Sequence, residues 1–427
     1  MDRAVIVGFG CAGYHAASAL RRNGWDGEIH IFSESGAAPA NPMLTTYYVS
    51  GKLPYDGMFP FGPPEEIAAR LDLTLHMDVA VERVDYEAQK VVCSDGSQWT
   101  WSKLLLATGA RALVPPLPGA DDGEVYCMRT VQDAERLQAR LERGGVRAAV
   151  VVGASMVGIK VVELLRRRDV AVTMADMAPG IFPVAALPEI GRVIEDRVRA
   201  KGVELRFGSG ISAITRGGET LTASFSDGAE IPCDLVVLCI GTRANTALAG
   251  ETVKVGRGVV VDEHMRTNVE GVYAAGDCCE GLNRQSGQTQ IIGLWANAAS
   301  QGEVAGTNMA GGSAVHTGEI LHNITHFFDM DFIAFGDNRA QGSVLEYRSA
   351  DGRTVLRAVL RDGKIACLNL LDNYKVSGVM KDYVIRRLDG SGTALYPRGA
   401  ARLRAEGIPG EIISALEKTS AAINGQE

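Results

Sequence analysis

Two glycine-rich turns of one design lie 145 positions apart in this chain. The first is Val5-Ile6-Val7-Gly8-Phe9-Gly10-Cys11-Ala12-Gly13; the second is Val150-Val151-Val152-Gly153-Ala154-Ser155-Met156-Val157-Gly158. Each follows a short apolar run of the length of a buried parallel strand. Each precedes an apolar-periodic stretch with the period of a helix, Tyr14 to Leu20 and Ile159 to Leu165. Small residues let the backbone approach a pyrophosphate, and the N–H groups at the helix N-terminus then face its charge. Two such turns imply two dinucleotides in two domains, and an electron path from one to the other.

A carboxylate follows each turn at the distance where a ribose would sit. Glu34 lies 26 residues after Gly8 and Asp176 lies 23 after Gly153, each at the end of an expected strand, Glu28 to Phe32 and Val170 to Met174. Such a carboxylate accepts from ribose hydroxyls and repels a 2′-phosphate. Met177 and Ala178, which follow, offer no cation for that phosphate, so NAD(H) is expected over NADP(H) at the second turn.

Bulk properties narrow the field. A length of 427 residues suffices for two or three domains, and a net charge of −8 argues against nucleic acid as a partner. No apolar run reaches the ~20 residues of a membrane span. The first strand starts at Ala4, which leaves no room for a signal peptide, so a cytoplasmic location is expected. None of the eight cysteines forms a C-x-x-C pair, and most read as small buried fillers, Cys11 among them. His322 and His326 share a helical face at i, i+4 without a third ligand, so no metal is expected. No Ser-His-Asp arrangement is legible.

The Pro115-Pro116-Leu117-Pro118-Gly119 stretch excludes regular structure and reads as a linker. Gly311-Gly312-Ser313 marks a second boundary. Residues beyond it alternate in a β-rich way, with turns at Asp351-Gly352 and Asp362-Gly363, before a short helical tail. A loop is expected from Ser35 to Pro64. The fold class is therefore α/β, with two Rossmann-like dinucleotide-binding domains and a small β-rich α+β C-terminal domain.

The pattern resembles the two-dinucleotide flavoprotein family of ferredoxin and rubredoxin reductases, NADH oxidases and disulfide reductases. Leu106-Ala107-Thr108-Gly109-Ala110 looks like that family's A-T-G crossover, with Arg111 beside it. Ile240-Gly241-Thr242-Arg243-Ala244-Asn245 looks like the second crossover, and Val272-Tyr273-Ala274-Ala275-Gly276-Asp277 like the second FAD motif. The resemblance implies FAD on Gly8, Gly10, Cys11, Ala12, Gly13, Glu34, Ala107, Thr108, Gly109, Arg111, Gly276 and Asp277. A helix beginning near Trp295 and Ala298 would point its N-terminus at the flavin. It implies NAD on Gly153, Ser155, Met156, Val157, Gly158, Asp176 and Gly241. It also implies an FAD domain from 1–113 and 242–318, an inserted NAD domain from 114–241, and a C-terminal interface or dimerisation domain from 319–427.

The departures from the family decide the expected chemistry. Its NADH oxidases and coenzyme A disulfide reductases carry a reactive cysteine in the loop after Glu34. Here that loop reads Asn41-Pro42-Met43-Leu44-Thr45-Thr46-Tyr47-Tyr48, without a thiol. Oxygenase-type ferredoxin reductases carry a lysine in this loop and a glutamate after the last glycine of the NAD turn; those positions look like Thr46 and Lys160 here. Lys160 is expected either beside the flavin and nicotinamide, with Glu163 as a neighbour, or facing solvent. Arg136, Arg140 and Arg143 form a basic helical face, read as a solvated surface or as a guide for an acidic iron–sulfur protein.

The expected function is hydride exchange between NAD(H) and FAD, and single-electron exchange with an iron–sulfur or ferredoxin-like protein. The chain would act as the NAD-reactive subunit of a larger redox complex, such as an NAD-linked tungsten aldehyde oxidoreductase, or as a homodimer. The alternatives are a self-sufficient NADH oxidase and a non-catalytic, FAD-bound regulatory protein.

Overall fold

The computed structural model describes residues 2–361, 364–389 and 395–418. The Asp362-Gly363 turn and the end of the helical tail lie outside them. The chain forms two compact units. One comprises Met1–Leu113, Cys127–Gly144 and Gly241–Glu319; the other comprises Val114–Tyr126, Gly145–Ile240 and Ile320–Glu427. This division differs from the three expected segments at two places. The Val131–Glu142 helix groups with the first glycine-rich turn, and the C-terminal residues group with the second.

The first unit is built on a five-stranded parallel sheet in the order Val272–Ala274, Lys103–Leu106, Arg3–Val7, Glu28–Ser33, Thr74–Met77. The central strands are covered on both faces, so residues 4–7 and 104–106 are continuous apolar runs instead of alternating ones. Ile6, Ile31 and Leu105 share one register line and are fully buried. Each contributes roughly 1.5–3 kcal/mol by leaving water. The Cys11–Arg22 helix packs on the Trp295–Met309 helix so closely that a Cβ on Gly302 or Gly306 would collide with the backbone of Ala12 or Ala16. A three-stranded antiparallel meander, Val81–Asp85, Lys90–Cys93 and Gln98–Thr100, flanks the sheet.

The second unit repeats this plan. Its five-stranded sheet runs Val203–Phe207, Ala171–Asp176, Ala148–Val152, Leu235–Leu238, Val125–Cys127, the first four strands parallel, and its meander is Ile211–Gly217, Thr220–Phe225 and Glu230–Cys233. It also carries a five-stranded antiparallel sheet in the order His322–Phe327, Met330–Gly336, Lys364–Leu371, Val355–Arg361, Ser343–Arg348. The helices Ser377–Asp389, Pro397–Ala405 and Gly410–Lys418 belong to the same C-terminal portion. Phe335, Leu368, Leu370, Tyr383, Leu403 and Ile413 form part of the core they share with that sheet.

Several local expectations change. His322 and His326 lie on a strand, where i and i+4 also share a face, and His326 Nδ1 is 2.8 Å from Asp331 Oδ1. The Ser35–Pro64 loop carries three short helical pieces, Pro42–Leu44, Thr45–Val49 and Tyr55–Met58. Arg143 caps its helix at the C-terminus instead of lying within it. Among the described residues no helix is long and apolar enough to cross a membrane, and no group of three or more His, Cys, Asp or Glu is placed to hold a metal ion.

Candidate dinucleotide sites

The two turns superpose in their physics. Gly8 and Gly153 both have φ +112°, in the region that favours glycine. The Gly8 N–H donates to the Phe32 carbonyl at 2.8 Å, and the Gly153 N–H to the Ala175 carbonyl at 2.7 Å. A Cβ on Gly8 would collide with the Ala107 carbonyl, and one on Gly153 with that of Cys239. Gly13 and Gly158 must be bare because the carbonyls of Gly8 and Gly153 pass directly over them.

In the first unit a cavity opens at this turn. Gly10, Cys11 and Ala12 line it, with Ala107 and Gly109 from the crossover and Gly276 and Asp277 from the second motif. Trp295 and Ala298 line it from the start of their helix. Asn41, Pro42 and Met43, from the loop that lacks a thiol, also line it, and so do Ala40, Arg129, Gly293 and Leu294, which the sequence did not mark. Arg129 is the consequential addition. Its Nη2 lies 2.7 Å from Asp277 Oδ2, and its Nε donates to the Ala110 carbonyl at 3.3 Å.

The cavity fits an extended, phosphate-bearing group such as FAD. A Cβ on Gly10 or Gly109 would meet nothing within 4 Å, so the backbone there borders open space. The helices beginning at Cys11 and Trp295 have no side-chain cap, which leaves N–H groups at each N-terminus for a ligand. Asn297, in the first turn of the second of these helices, is buried with its Oδ1 unpartnered. Burial, with the Asp277 carboxylate nearby, pushes the Cys11 thiol up to about 12, so it lines the cavity as a neutral group.

Other expected site residues are not among those that line the cavity. Glu34 is exposed just past its strand. Thr108 locks the crossover: its hydroxyl donates to the Asn245 carbonyl at 2.6 Å, and Asn245 Nδ2 returns a bond to the Thr108 carbonyl at 2.9 Å. Arg111 Nη1 donates to Asn245 Oδ1 at 3.0 Å. Thr46 is buried on the Thr45–Val49 helix.

In the second unit Ser155 caps the Met156–Arg166 helix. Its hydroxyl accepts from the Gly158 N–H at 3.1 Å and donates to the Cys239 carbonyl at 2.9 Å. Asp176 ends its strand and folds back on the turn, accepting from the Ala154 N–H at 2.7 Å and the Ala178 N–H at 2.8 Å. Met156 and Val157 supply the first helical N–H groups. Lys160 is buried, which removes the solvent-facing alternative, and buried Glu163 pairs with Arg167 at 2.8 Å. Gly241, expected here, groups with the first unit, where its carbonyl accepts from the Leu113 N–H.

Residues 2–302 match the family described as pyridine nucleotide-disulphide oxidoreductase. The NADH-dependent phenylglyoxylate dehydrogenase subunit epsilon of Aromatoleum evansii is 28% identical over 407 residues, 91% of this chain and 94% of that protein. The rubredoxin-NAD(+) reductase of Ectopseudomonas oleovorans is 28% identical over 312 residues, 72% of this chain and 80% of that one. The fold is also that of the water-forming NADH oxidase from Lactobacillus brevis bound to NADH, with TM-score 0.84, 22% identity and coverage of 90% of each chain. With two dinucleotide folds in the right order and a cavity at the first, the chain belongs to the pyridine nucleotide-disulphide oxidoreductases, flavin-containing enzymes that bind FAD and NAD(H).

Proposed function

We propose that this NAD(H)-dependent flavin oxidoreductase passes single electrons between its FAD and an iron–sulfur protein, as the NAD-reactive subunit of a larger complex. Bound FAD supplies the conversion between a hydride pair and single electrons. Gly10, Cys11, Ala12, Gly109, Arg129, Gly276 and Asp277 would hold it, with Glu34 taking the ribose. The Trp295 helix N-terminus would favour negative charge on the ring. Gly153, Met156, Val157, Gly158 and Asp176 would hold NAD(H). Lys160 and Thr46 would stand near the reacting rings, Lys160 anchoring the charge that accompanies hydride.

The observation that carries this reading is the Asn41–Tyr48 segment. Its first residues, Asn41, Pro42 and Met43, line the cavity, and the segment contains no cysteine to relay electrons as a thiol. Without that relay, electrons would leave from the flavin itself, and single-electron exit to a protein is the route favoured here. Likeness over nearly its full length to a subunit of an NADH-dependent dehydrogenase supports membership of a complex, and likeness to a rubredoxin reductase supports a small iron–sulfur partner. The test is NADH turnover by the purified protein with ferricyanide and with oxygen. Fast dye reduction with slow oxygen use is expected. Fast oxygen consumption would make it an oxidase in its own right.

A further inference from the structure

The second glycine-rich turn is braced from an unexpected direction. The Ala154 N–H is committed to Asp176, and the Ala154 carbonyl accepts from the Phe182 N–H at 2.8 Å. Phe182 has φ +52°, a left-handed conformation that a bulky side chain holds only when its surroundings impose it. The surroundings are the C-terminal sheet. The buried Phe182 ring stacks on Phe332 at 5.2 Å and meets Phe327 edge-on at 5.5 Å.

The residues that follow are fixed to the same sheet by backbone-directed amides. Asn338 Nδ2 donates to the Pro183 carbonyl at 2.9 Å and the Ala186 carbonyl at 2.8 Å. Fully buried Asn369 accepts from the Leu187 N–H at 2.6 Å and donates to the Ala185 carbonyl at 3.1 Å. Arg197, on the next helix, pairs with Asp372 at 2.6 Å. A buried asparagine that spends both ends of its amide on one foreign strand of backbone fixes that backbone's path.

We infer that the C-terminal sheet sets the shape of the NAD(H) turn, with Phe182, Asn338 and Asn369 as positioning residues for the dinucleotide. This rests on the reading that the Gly153–Gly158 turn and Asp176 hold NAD(H). Freed from its amides, the 182–187 segment lets Phe182 relax out of its left-handed conformation. The Ala154 carbonyl then loses its donor, and the turn that must approach the pyrophosphate is no longer pre-organised. The C-terminal portion thereby acts on the affinity for NAD(H), a role separate from forming an interface.

The test is calorimetric titration of the flavin-loaded protein with NAD⁺, comparing wild type with Asn338→Ala, Phe182→Leu and, as a control, Asp176→Ala. Asn338→Ala is expected to weaken binding about threefold to tenfold, the size of one or two lost hydrogen bonds. KM for NADH should rise by a similar factor while flavin reduction at saturating NADH keeps its rate, a split that general loosening would not give. Asn338 is only half-buried, so this variant decides the matter even if Phe182→Leu fails to fold. Wild-type affinity in Asn338→Ala alongside weakened Asp176→Ala overturns the brace alone. Wild-type affinity in Asp176→Ala overturns the assignment of the NAD(H) site, and the brace with it.

Discussion

Arg129 Nη2 sits 2.7 Å from Asp277 Oδ2, and both side chains line the same cavity although 148 residues separate them in sequence. Charge-assisted pairs of this kind contribute roughly 1.5–3 kcal/mol when partly buried. Arg129→Ala should therefore lower FAD affinity by about tenfold or more, and Arg129→Lys, which loses the fork that also reaches the Ala110 carbonyl, should fall between. The ratio of flavin to protein absorbance after gel filtration measures this. Full flavin content in the alanine variant would contradict it.

Two glycines of the same turn should respond in opposite ways. A Cβ at Gly13 collides with the Gly8 carbonyl, so Gly13→Ala should destabilise the first unit by about 1–3 kcal/mol, seen as a lower melting temperature. A Cβ at Gly10 meets no protein atom within 4 Å, and Gly10 has φ −96°. Gly10→Ala should therefore melt like wild type without flavin while retaining markedly less FAD. Equal melting of both variants would refute the distinction.

This contrast shows what the sequence made legible. Glycine spacing marks a turn because collisions between Gly8 and Gly13, or Gly153 and Gly158, are local and recur wherever the motif is used. Arg129 carries no such signal: an arginine two residues before a helix is unremarkable until the fold brings it to Asp277. The His322–His326 spacing suits a helix and a strand equally, so periodicity alone placed it on the wrong element. The brace on Phe182 was invisible for the same reason as Arg129, since it depends on contacts between residues 182 and 332 that only topology creates.

Asp176, proposed above as part of the NAD(H) site, also engages two backbone N–H groups. Asp176→Arg should raise KM for NADH by at least about tenfold and narrow the gap to NADPH, because it replaces repulsion of a 2′-phosphate with attraction. It should also lower stability, since Ala154 and Ala178 lose their acceptor. Steady-state kinetics with both nucleotides check this; unchanged NADH affinity would remove the cofactor assignment.

Buried His30 and half-buried His76 form a pair with 3.0 Å between Nδ1 and Nε2, packed by Phe32 and Trp99 and flanked by Glu28, Arg3 and Asp95. Burial lowers both imidazoles below the usual value. Between the folded and unfolded values the unfolded chain binds more protons, so stability is full above the unfolded pKa of about 6.5 and declines as pH falls below it. Thermal melting from pH 7.5 to 5.5 should show this decline. His76→Gln should flatten the profile, and an unchanged slope in that variant would exclude the pair as its source.

In the proposed function, electrons leave this chain from the flavin with no thiol between. Anaerobic titration of the purified protein with NADH, followed by flavin absorbance and by counting free thiols before and after, tests it most directly. Complete flavin bleaching by one equivalent of NADH per flavin, with no change in thiol count, is expected. Uptake of a second equivalent with the appearance of new thiols would contradict it.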